Sequence, residues 1–279
     1  MAPTILNYGM GVDSTAMLIE LVERGEAPDL IIFADTGSEK PETYAYLPII
    51  EGWLQDRGLE LTIVRRGMSR PSKTGPGYDT IEGQCLQNKT LPSLAFGHGK
   101  CSLKWKAQPM DKWLNSWGPA MLAWANGEKV VKLIGYDCSR ADLRRSKRGE
   151  KRIAVNGPDP KFIFHHPLQR WGWTRPDCIE RIERAGLLIP PKSACFFCPA
   201  SKPEELRDMA ETNPELFARA IAIEDNAQVS LTSIPGLWRK QSWRGWAEAE
   251  GLIESKLVQI APVAVAVPQM DLFSQGVAA

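Results

Sequence analysis

The chain opens with a short apolar run through Ile5 and Leu6 to Tyr8, meets glycines at 9 and 11, then resumes apolar spacing at Ala16, Met17, Leu18, Leu21 and Val22. A period of two gives way to a period near 3.6. That pattern predicts strand, tight loop, helix. A second run, residues 29–37, is apolar without alternation until Asp35, Thr36 and Gly37, as expected of a buried parallel strand ending in a turn. Residues 39–57 place Tyr44, Leu47, Ile50 and Leu54 on one helical face, with a kink expected at Pro48. Further strands are predicted at residues 59–64, 130–136 and 162–168. Helices are predicted from 110 to 117 and on to about 127, then at 174–186, 204–211 and 214–226. Regular alternation of strand and helix predicts an α/β fold with a parallel sheet.

Two stretches break the pattern. Residues 67–100 are rich in Gly and Pro and read as a loop-rich insertion. From Ala261 the sequence thins to Ala, Val and Pro, which reads as a flexible tail. We expect an α/β nucleotide-binding domain over residues 1–168, a helical unit over 169–257 carrying a Cys-x-x-Cys turn, and a tail over 258–279.

With 279 residues there is ample apolar material for a core. The net charge of +1 gives no global pull toward nucleic acid, so any such site is a local patch. No apolar run is long enough to span a bilayer, so no membrane partner is expected. No basic-then-apolar leader precedes the first strand, which points to the cytoplasm. In that reducing compartment the six cysteines read as metal, cluster, catalytic or buried thiols rather than disulfides.

Candidate chemistry begins at the first turn. Glycines at 9 and 11 let the backbone approach a ligand, and the N–H groups that follow face an anion together with the helix N-terminus. Tyr8, Gly9, Met10, Gly11, Val12, Asp13, Ser14 and Thr15 are therefore the candidate phosphate cradle. Ser14 and Thr15 would offer hydroxyls, and Asp13 a cap or a metal ligand. In an open α/β sheet ligands lie beyond the carboxyl ends of the strands. That adds Asp35, Thr36 and Gly37, and the Asp137 to Arg140 segment after the fourth strand. A basic stretch follows at Arg140, Arg144, Arg145, Lys147, Arg148, Lys151 and Arg152, against only Asp142 and Glu150. It reads as a phosphate-gripping loop or as a solvated one.

Cys195 and Cys198 form a two-ligand knuckle, with Cys101 and Cys178 as further ligand candidates and Cys85 in reserve. Four thiolates would suit an iron–sulfur cluster or zinc by count; a redox dithiol and buried apolar thiols are the other readings. His165 and His166 read as a strand-end pair bonded to backbone.

The first loop resembles the pyrophosphate loop of the adenine-nucleotide alpha hydrolases, usually Ser-Gly-Gly-x-Asp-Ser, with Tyr8 and Met10 as departures. Further marks follow in order: residues 33–37 with Glu42-Thr43-Tyr44, Cys101-x-x-x-Trp105-Lys106, Gly135-x-Asp137-x-x-Arg140, and Ser193-x-Cys195-x-x-Cys198-Pro199. Together they resemble the phosphoadenosine phosphosulfate reductase family. The resemblance implies a Rossmann-like, HUP-type sheet binding ATP or a related adenine nucleotide with Mg²⁺. It implies Asp13, Cys101 and Lys106 as catalytic residues and Gly135, Asp137, Arg140 and Arg144 as nucleotide contacts. It also implies a [4Fe-4S] cluster, or Zn²⁺, on Cys101, Cys178, Cys195 and Cys198. No cysteine follows Cys198 and no adjacent Cys-Cys pair occurs, unlike the sulfonucleotide reductases. The Gly-Val-Asp-Ser-Thr loop is closer to the adenylating branch, which activates an oxygen with ATP for displacement by sulfur or nitrogen.

The expected activity is thus adenylation for sulfur or nitrogen transfer onto DNA or tRNA, with a sulfur-donor protein. Sulfonucleotide reduction and a non-catalytic DNA-associated component are the alternatives. Gln269, Leu272 and Phe273 sit in a pentapeptide that looks like a bacterial sliding-clamp-binding motif.

Overall fold

The computed structural model describes residues 2–73 and 75–253. The clamp-like peptide lies outside them. Five strands, β1 (Thr4–Tyr8), β2 (Leu30–Asp35), β3 (Leu61–Arg65), β4 (Val130–Leu133) and β5 (Phe162–His165), form one sheet in the order β3-β2-β1-β4-β5. Every pairing is parallel. The α/β expectation holds: the fold is a Rossmann-like parallel sheet flanked by helices.

The helices are α1 (Val12–Glu23), α2 (Pro41–Ala45), α3 (Leu47–Gln55), α4 (Ile81–Gln87), α5 (Lys100–Ser102), α6 (Gln108–Leu114), α7 (Gly118–Ala125), α8 (Arg140–Asn156), α9 (Pro167–Trp171), α10 (Arg175–Arg184), α11 (Pro203–Thr212), α12 (Pro214–Ala227) and α13 (Trp243–Ala249). A π-helical turn, Leu103–Ala107, joins α5 to α6. The helix predicted over residues 39–57 is two helices, with Pro48 in the first turn of α3, where its missing N–H costs nothing. The predicted insertion contains α4, capped by the Thr80 hydroxyl. The basic stretch, expected as a loop, is the 17-residue helix α8, capped by Ser139.

Alternation along β1 explains the layering. Leu6 and Tyr8 face a core built with α1, α3 and α10, whereas Ile5 faces a second core with α6 and α7. β2 is buried at every position because both its faces are covered. A third core joins α4, Trp105, Phe196 and Phe197 to α11, α12 and α13. Within these cores α10 packs on α1, and α4 belongs with the later helices.

Candidate active site

The β1–α1 loop is fixed by its own side chains. Met10 adopts a left-handed backbone with φ 57°, which favours glycine, while its side chain is fully buried. The Ser14 hydroxyl accepts the Gly9 N–H (3.1 Å) and donates to the Gly11 carbonyl (3.1 Å). The Thr15 hydroxyl also donates to Gly11 O (2.9 Å) and meets the buried Tyr8 hydroxyl (2.9 Å). Burial raises the Tyr8 pKa, so this phenol stays neutral. The Ser14 and Thr15 hydroxyls are thus bonded within the loop and staple it. What faces outward is backbone. Gly11 is the N-cap of α1 and carries no side-chain cap, so the first-turn N–H groups of Val12, Asp13 and Ser14 have no side-chain acceptor. Gly135, just past β4, presses on this turn: a Cβ there would lie 3.0 Å from the Ser14 nitrogen.

Asp13 is held by Arg175 of α10 at 3.1 and 3.2 Å. Burial pushes the Asp13 carboxyl above the usual carboxylate range; Arg175 opposes the shift, and Asp137 and Asp142 add to it. Asp137 is buried and accepts the Ser139 N–H (2.9 Å), while its own N–H goes to Asp142. Arg140 and Arg144 are exposed on α8, the Arg144 Nε donating to the Arg140 carbonyl.

Asp35, Thr36 and Gly37 lie where predicted but are occupied within the chain. The Asp35 carboxylate accepts from the Gly37 N–H (2.8 Å), the Tyr44 hydroxyl (2.8 Å) and Arg65 Nε (2.6 Å). Gly37, at φ 67°, packs on Thr80. Thr36 donates to Glu39 Oε1 (3.1 Å) and lies 3.5 Å from the Cys195 sulfur.

Glu39 is the hub that the sequence did not reveal. Its side chain has no exposure, and it binds Lys106 Nζ at 2.9 Å. Ser193 donates to its other oxygen (3.3 Å). Backbone bonds from Lys40 to Ala194 and from Phe196 to Ser38 zip the segment after β2 to the Cys-x-x-Cys turn. Lys106 is presented by the π-helical turn, a local irregularity frequent at functional positions. Burial alone would lower its pKa, but the Glu39 carboxylate beside it outweighs that, so the ammonium is held charged. The cluster adjoins the glycine loop: a Cβ on Gly11 would lie 4.0 Å from the Ser193 Cβ.

The cysteines separate into two groups. Cys198 N–H closes the turn on the Cys195 carbonyl (3.0 Å), and Cys101 is an electrostatic neighbour of Cys198. Burial raises both knuckle thiols. Cys178 is fully buried in the core with α1, where its charged neighbours are Asp13, Asp137 and Arg175. It does not join the knuckle, because its helix packs on α1. Cys85 is buried in the third core. Among the described residues no three His, Cys, Asp or Glu side chains converge to hold a metal. Among the described residues the expected four-thiolate centre is therefore not assembled. The His165 and His166 carbonyls accept backbone N–H groups, and the His166 ring stacks on Tyr136 at 5.2 Å.

Arg175 and Glu39 carry little local signal. Arg175 reads as an ordinary first residue of a capped helix, and its partner lies 162 positions away.

No helix among the described residues is long and apolar enough to cross a membrane. No family model matches this chain. No curated protein matches it. Among solved structures it is similar to the U34-tRNA thiolase NcsA from Methanococcus maripaludis with its [4Fe-4S] cluster, at 15% identity and a TM-score of 0.43, over 83% of this chain and 74% of that one.

Proposed function

We propose that this chain is an ATP-using enzyme of the pyrophosphate-loop, phosphoadenosine phosphosulfate reductase-like kind, adenylating nucleic acid for sulfur or nitrogen transfer. One observation carries the reading: an uncapped, stapled glycine loop abuts, at Ser193, a buried Glu39–Lys106 pair and the Cys195 thiol. The loop's N–H groups suit the β- and γ-phosphates. An acceptor oxygen attacks the α-phosphorus, the bond to the bridging oxygen breaks, and pyrophosphate leaves with the electron pair. A sulfur or nitrogen nucleophile then displaces AMP. Mg²⁺ bound with the nucleotide would neutralise phosphate charge, and Asp13 would hold it once Arg175 lets go.

Lys106 serves as a fixed cation beside the reacting phosphate rather than as a base, because it stays charged at neutral pH. Arg175 can exchange Asp13 for a phosphate oxygen. Cys195 and Cys198 are protonated thiols in this state, so neither is a ready nucleophile. The test is release of AMP and pyrophosphate from ATP in the presence of RNA or DNA. Asp13→Ala is expected to cut turnover by about a hundredfold or more while preserving the circular dichroism spectrum. Unchanged turnover removes the loop from the mechanism.

A further inference from the structure

Helix α8 is the largest element that the proposed chemistry leaves unexplained. It carries seven cations and two carboxylates, a net +5 from seven minus two, in a chain whose total is +1. The remainder of the molecule is therefore −4, and the positive charge is concentrated here. Arg140, Arg144, Lys147 and Lys151 recur at steps of four, three and four, which places them within about 60° of one another around the helix. The buried positions, Asp142 and Ser146, lie roughly 150° away. The helix thus seats itself through two small polar residues and turns its basic stripe to solvent.

From Glu150 to Asn156 every residue is exposed, and among the described residues α8 packs extensively against no other helix or strand. Arg145 pairs with Asp142; the other six cations have no carboxylate partner among the described residues. Leu143, Ile153 and Val155 are exposed but point in different directions, so there is no apolar stripe to enter a lipid surface. Seventeen residues make a rod of about 25 Å rooted beside Asp137, at the site's edge of the sheet.

We propose that α8 is a docking arm for the phosphate backbone of a nucleic acid strand. This deepens the reading above by placing the acceptor, and it rests on that reading for the chemistry the acceptor undergoes. Four aligned cations release counterions on binding, so log affinity should fall with log salt at a slope of about −3.6 on duplex or about −2.8 on single strands.

The test is fluorescence anisotropy of the full chain with labelled single-stranded RNA, single-stranded DNA and duplex DNA across a salt series. The tightest of the three identifies the source of the backbone. The Lys147→Glu/Lys151→Glu variant is expected to bind about tenfold or more weakly, with a slope shallower by about 1.8 on duplex. Lys147→Gln/Lys151→Gln should show a smaller loss in the same direction. ATP affinity, measured calorimetrically, should be unchanged in both. Identical affinity and slope in wild type and variants overturns the proposal. So does no binding at low salt, or equal binding of polyglutamate competing for the arm. Nucleic-acid binding that depends on Lys147 and Lys151 in a chain that fails to bind ATP would support the arm and sink the adenylation reading.

Discussion

Replacing Lys106 by Met removes the cation from a carboxylate with no exposure of its own. The pair is 2.9 Å apart, and the Lys106 side chain is 31% exposed. At an effective dielectric near 20 the lost attraction is about 6 kcal/mol. Breaking a buried pair by deleting one partner typically costs about 3–5 kcal/mol. Two features reduce that here. Water reaches the lysine end, and the Thr36 and Ser193 hydroxyls still donate to Glu39. We expect a net loss of about 2–3 kcal/mol, which in a chain of this size lowers Tm by roughly 4–12 °C. Glu39→Gln alone should cost less, because the lysine can turn to solvent. In the double variant the uncompensated charge is gone, so stability should recover by about 1–2 kcal/mol relative to the sum of the singles. Urea denaturation of all four proteins completes the cycle. Additive losses, or a Lys106→Met loss below about 0.5 kcal/mol, would refute the claim that this pair holds the site together.

Two further outcomes follow from the same geometry. Gly135→Ala places a methyl 3.0 Å from the Ser14 nitrogen, so the turn must shift; ATP affinity should fall about tenfold with little change in Tm, and equal affinity by calorimetry would show that the contact does not shape the cradle. Burial pushes the Cys85 thiol up to about 12 from 9.0, so its contribution is fully present below pH 9 and is lost as pH rises toward 12, at about 1.4 kcal/mol per unit. Cys85→Ala should flatten the alkaline fall in urea midpoint, and parallel curves would exclude the thiol as its cause.

The β1–loop–α1 unit was legible because an apolar run stops at glycines and resumes with helical spacing, all within twenty residues. Asp35 was placed correctly at a strand end, but only the structure reveals Tyr44 and Arg65 occupying it. Helix α8 reads as a loop in the sequence because it has no apolar face; Arg, Lys, Glu and Ala favour helix, and Ser139 starts it. Cys178 looked like a knuckle ligand because it is near in sequence, whereas helical rotation turns it onto α1. Glu39 and Ser193 meet across 154 positions, a separation over which no periodicity carries information.

The stapling of the first turn has a kinetic meaning. Met10 is rooted in the core, and two hydroxyls hold the Gly11 carbonyl, so this turn takes its shape from its own side chains. Capture would be governed by shedding water from the anion and by freeing Arg175 from Asp13, a single guanidinium swing. On the proposed reading, capture of an anion there would be sensitive to ionic strength at the moment of encounter.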